Sequence, residues 1–106
     1  MVNLKDLLEV LHESTELSTN EEIVKACKLI IEVQAFSYGE QDCIIASFEK
    51  GVLEDGDTPS KSSRDSLLEK GYMAKVISRG EWGFNACTYK GAWAYRLIQA
   101  QRGLNL

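Results

Sequence analysis

The sequence predicts a mostly α fold with a small β-hairpin. Three observations lead there. Apolar residues recur at helical spacing over about 3–15, 20–35 and 38–50, and Ser or Thr stands three residues before Glu at the start of the second and third segments. Residues 72–88 hold two short strand-like runs around a turn with two glycines. Gly51 and Gly71 fall where a helix would have to stop. With 106 residues, a single domain spanning 1–106 is expected, large enough to bury a core without disulfides or a metal.

Taken in order, Leu4, Leu7, Leu8 and Leu11 form one apolar stripe of an N-terminal helix over 1–17, a candidate for dimerisation. His12, beside Leu11, reads as a surface or boundary residue rather than a ligand or base. Ser18 with Glu21 and Thr19 with Glu22 are overlapping capping boxes for a helix over about 20–35. Ile23, Ala26, Cys27, Ile30 and Ile31 are expected on its buried face. Val24, Leu29 and Val33 make it apolar beyond one stripe, as a central helix or an interface helix would be.

Ser37 and Glu40 repeat the capping spacing before a helix over 38–50, with Cys43, Ile44 and Phe48 expected inside. Residues 53–57 read as a turn or exposed loop. Thr58-Pro59 reads as the cap and first position of a fourth helix, about 59–70. Leu67 and Leu68 face its core side and Lys61 and Arg64 its exposed side. Strands over 72–78 and 84–88 follow, and then a helix over about 89–101 with Trp93, Ala94, Leu97 and Ile98 in its stripe. A third strand over 92–98 is the competing reading of that last segment, because Trp93, Tyr95 and Leu97 alternate.

Charge is divided along the chain. Residues 1–55 carry four basic and twelve acidic side chains, and residues 56–106 carry eight and four. A basic half on an acidic half points to an anionic partner for one face. The overall balance of −4 is low for a nucleic-acid-binding domain. Three cysteines far apart, without CxxC spacing, suggest reduced thiols rather than a disulfide framework or a zinc site. One histidine and no phosphate-binding glycine loop give no basis for an enzyme or a cofactor. No apolar run approaches a membrane span and the acidic N-terminus does not read as a signal peptide, so a cytoplasmic protein without a membrane partner is expected.

The run from Thr58 to Arg102 resembles winged helix-turn-helix proteins of the MarR-like kind and small phage or prophage winged-helix proteins. Leu67-Leu68-Glu69-Lys70-Gly71-Tyr72 is similar to the end of a recognition helix entering the wing. The hairpin 72–88 sits where the wing belongs, and Thr88-x-x-Gly91 is similar to the motif that launches the following helix. The resemblance implies a winged-helix core over 20–102 with an extra N-terminal helix. It also implies a small DNA-binding regulator or accessory protein, of phage or mobile-element origin, acting as a homodimer on double-stranded DNA. In such a protein Ser60, Lys61, Ser63 and Arg64 would reach bases or phosphates, Arg79 at the wing tip would contact the backbone or minor groove, and Lys75 and Lys90 would flank it. The alternative is the same fold used as a protein–protein module, an adaptor or an acidic inhibitor mimicking DNA. Trp82 would then contact a protein partner if exposed, or belong to the core if folded back.

Overall fold

The computed structural model describes residues 19–78 and 80–104. The expected N-terminal helix, His12, Ser18 and Arg79 lie outside the described residues, and so does the side chain of Trp82. In chain order the elements are α1 (Asn20–Gln34), α2 (Tyr38–Glu49), β1 (Leu53–Glu54), a 3₁₀ turn (Asp55–Asp57), α3 (Lys61–Lys70), β2 (Met73–Ser78), β3 (Glu81–Cys87) and α4 (Tyr89–Leu104). The described chain is therefore mostly helical, with one small antiparallel sheet in the order β1-β3-β2. It divides into two compact units: one holds α1 and the end of α4 from Arg96, the other Phe36–Tyr95.

In the first unit, Thr19 caps α1 by accepting from the Glu22 N–H at 3.2 Å. The buried face of α1 is Ala26, Leu29, Ile30 and Val33, and at the end of α4 Leu97 and Ile98 are buried as well. This face is rotated from the expected one: Ile23, Val24 and Ile31 are exposed. A helix apolar on more than one side offers periodicity no means of choosing which stripe goes inside.

The second unit is built from local signals that reinforce each other. Ser37 and Glu40 form the expected capping box of α2, the Ser37 hydroxyl accepting from the Glu40 N–H at 3.2 Å and Glu40 Oε1 from the Ser37 N–H at 3.0 Å. Helix α3 ends at Gly71, whose φ of +84° is left-handed, with Tyr72 N–H reaching back to the Leu67 carbonyl at 2.9 Å. Cys43, Ile44, Leu53, Leu67, Tyr72 and Met73 fill the core, and Phe36 meets Tyr72 edge-on at 4.9 Å. Phe48, expected inside, is 43% exposed and stacks on Tyr95 at 4.0 Å.

Two elements differ from the sequence reading. Leu53–Glu54 is a strand rather than loop, pairing with Asn85 and Phe84 of β3. Helix α3 starts at Lys61 behind Ser60, not at Pro59 behind Thr58. The Thr58 hydroxyl instead donates to the Asp55 carbonyl at 2.7 Å and closes the 3₁₀ turn. In the hairpin, β2 and β3 pair from Met73↔Cys87 to Val76↔Phe84, then slip so that Ile77 meets Trp82. Gly83 is the extra residue of that bulge, with φ +128°. Ile77, opposite the bulge, is 54% exposed. The final segment is helix throughout, so the third strand over 92–98 does not form.

Candidate functional site

The residues singled out for an anionic partner cluster around α3 and the hairpin, but most of their polar atoms are engaged inside the fold. The centre is Asp55. It follows β1 directly, and pairing of β1 with β3 brings it beside Asn85. One carboxylate oxygen, Oδ1, accepts from Arg64 at 2.9 Å, from Lys75 at 2.6 Å and from the Asn85 amide at 2.8 Å. Arg64 also reaches Asp65 Oδ1 through its Nε and a terminal nitrogen, at 3.0 and 2.8 Å. Its side chain is only 11% exposed. Two of the expected DNA contacts therefore tie the 3₁₀ turn, α3 and β2 together. Asn85 is fully buried and its other donor contact is the Leu53 carbonyl at 3.2 Å, so the amide holds β1 as well as Asp55.

The two serines have a similar inward role. The Ser60 hydroxyl accepts from the Ser63 N–H at 3.3 Å and donates to the Ser63 hydroxyl at 3.0 Å. Both lie against Gly39 of α2, where an added Cβ would come within 2.5 Å of Ser63 Oγ and 3.3 Å of Ser60 Cβ. The first turn of α3 can close on α2 because position 39 has no side chain. Lys90 donates to the Lys70 carbonyl at the end of α3, at 2.8 Å, and lies over the Tyr72 ring at 4.4 Å. Lys61 differs from these: it is exposed and makes no hydrogen bond or ion pair among the described residues.

One tightly held group was only half legible in the sequence. Glu40, expected as a capping residue, is buried, and its second oxygen accepts from Ser66 and Lys70 of α3, both at 3.2 Å. Burial alone would raise its pKa. The Ser37 N–H, Lys70 and Ser66 outweigh that and hold it below the usual carboxylate range. Nothing in local spacing links residue 40 to residues 66 and 70.

Asp55 is also held below the ordinary carboxylate value, first by the hydrogen bond from Lys75 and next by that from Asn85. A carboxylate depressed in the folded state contributes stability above its unfolded pKa, roughly 4, and loses it as pH falls through that value toward the folded one. The melting temperature should therefore drop on acidification below about pH 4.5. In Asp55→Asn that drop should be smaller, as followed by circular dichroism.

Burial pushes the Cys43 and Cys87 thiols up, which disfavours the thiolate a nucleophile needs. Among the described residues, no group of three His, Cys, Asp or Glu is placed to hold a metal. No described helix is long and apolar enough to cross a membrane. Comparison of the chain with family models, curated proteins and solved structures found no match.

Proposed function

We propose that this chain is a small protein-interaction module of winged-helix type, using exposed aromatic and apolar side chains rather than a free basic face. The observation that carries this reading is the engagement of Arg64, Lys75 and Lys90 within the second unit. A DNA-binding face relies on cations free to displace counterions from phosphates. Here, to reach phosphates, Arg64 and Lys75 would have to leave Asp55. The surface instead offers Tyr38 and Tyr89, each more than four-fifths exposed, and Phe48 stacked on Tyr95. Tyrosine and phenylalanine are enriched at protein interfaces because they supply large contact area at little entropic cost.

The winged-helix element of the proposal rests on α3 ending in a left-handed glycine, the hairpin that follows, and Thr88-x-x-Gly91 opening α4. One departure also favours protein contact. A DNA-binding helix-turn-helix joins its two helices by a turn of about 3–4 residues. Here residues 50–60 separate α2 from α3 and include β1 and the 3₁₀ turn.

DNA binding is the second reading, favoured by the exposed Lys61 in the first turn of α3 and by the basic balance of residues 56–106. A photocrosslinking amino acid in place of Tyr38 or Tyr89 tests the first reading in the source cells. One discrete protein adduct, absent when the probe replaces exposed Lys50, is the expected result. The same diffuse adducts from all three positions would contradict it.

A further inference from the structure

Helix α1 carries a second apolar stripe that the first unit does not bury. Val24, Cys27 and Ile31 follow the 3-4 spacing of a coiled-coil seam, with Ile23 beside them. Val24 is 51% exposed, Ile31 62% and Ile23 39%. The opposite face, Ala26, Leu29, Ile30 and Val33, is buried. Among the described residues, Asn20, Glu21, Val24, Lys25 and Lys28 line an open hollow of about 320 Å³ on the exposed side. The seam thus offers both a projecting side chain, Ile31, and a recess one to two turns away that could receive one.

We propose that this face is an antiparallel self-association surface, occupied by α1 of a second copy. The charges are self-complementary only in that orientation. Placing Val24 of one copy against Cys27 of the other sets Ile31 of the second copy beside the Asn20–Val24 recess. It also brings Glu21 next to Lys28 of the second copy, twice by symmetry. Within one helix Glu21 and Lys28 stand seven residues apart, about 10 Å along the axis, so they do not pair with each other. Both are exposed, and neither has a hydrogen bond or ion pair among the described residues. Four modest apolar side chains make a small contact, at the low end of specific interfaces, so the dimer is transient, with a dissociation constant in the micromolar range or weaker.

The test is sedimentation equilibrium of the full chain up to about 200 μM, reaching into that range. The wild type should show a monomer–dimer equilibrium. Ile31→Asp should weaken it at least about tenfold, by placing two charges in the seam. Its helix content should be unchanged, since Ile31 lies outside the core. Glu21→Lys and Lys28→Glu should each weaken association, and the double variant should restore it. That rescue cannot come from folding, because the two residues do not meet within a chain. A monomer at every concentration, or a double variant no better than the singles, would overturn the proposal. A dimer that appears only after removal of residues 1–17 would assign the stripe to that segment and overturn it as well.

Discussion

Gly91→Ala is expected to destabilise the protein by about 3 kcal/mol, at the upper end of overpacking effects. Gly91 is buried in the first turn of α4, and an added Cβ would collide with the Tyr72 carbonyl oxygen and lie 2.6 Å from Cys87 Sγ. The carbonyl cannot easily yield, because it accepts the Thr88 N–H at 3.2 Å. The Thr88 hydroxyl is held twice as well, donating to the Gly71 carbonyl at 2.7 Å and accepting from the Gly91 N–H at 3.1 Å. Thr88-x-x-Gly91 is thus a physical joint. The threonine caps α4 and pins it to the end of α3, and the glycine lets the helix sit against the backbone of residue 72. Gly103→Ala is the internal control. It lies in the same helix with nothing within 4 Å of its added methyl, so it should raise stability by up to about 0.5 kcal/mol. Urea midpoints of the two variants measure the contrast.

The second large effect is expected at Glu40, where Ala should cost about 2 kcal/mol. The substitution removes the acceptor for the Ser37 N–H and leaves Lys70 and Ser66 without their α2 partner. Glu40→Gln keeps an oxygen for the Ser37 N–H and loses the charge opposite Lys70, so about half that loss is expected. The acid dependence separates the two contributions. Because Glu40 is held below its usual range, its contribution is present above roughly pH 4.3 and is lost as pH falls below that value. The difference between wild type and Gln variant in denaturation midpoint should therefore shrink between about pH 5 and 3.5.

These two sites also show what was legible in the sequence. The Ser37–Glu40 box, the Gly71 stop and the Thr88–Gly91 motif are local signals, because each bond they make at a helix end spans three to five residues. They placed α2, α3 and α4 to within a few residues. What could not be read locally depended on long-range partners. Leu53–Glu54 is a strand only because Asn85 and Phe84 lie beside it. Thr58 and Ser60 both suit a helix cap, and Asp55 decides between them by taking the threonine into its 3₁₀ turn. Arg64 looked free because Asp55 is nine residues away and reaches it only through the loop geometry. On α1, an apolar residue at nearly every helical angle left the buried stripe undetermined, and the structure selected Leu29 and Val33 over Ile23 and Ile31.

That fate of the cations is the centre of the functional account. Charge totals treated Lys61, Arg64, Lys75 and Lys90 as equal members of a basic face. The ion pairs and the Lys90–Lys70 contact make three of them structural, leaving Lys61 for solvent. A single exposed pair of charges contributes little to stability. Here, however, one carboxylate oxygen joins three elements, so releasing Arg64 and Lys75 for phosphate would loosen the turn, α3 and β2 together.

The most direct measurement is a titration of the full chain with random duplex DNA across a range of salt, for the wild type and Lys61→Ala. Binding should be weak at low salt, with a shallow salt slope of one to two phosphate contacts, because among the described residues Lys61 is the cation of the expected DNA-binding set that is left without a partner. Micromolar affinity at physiological salt, with a steep slope and a marked loss in Lys61→Ala, would contradict it and restore DNA as the partner.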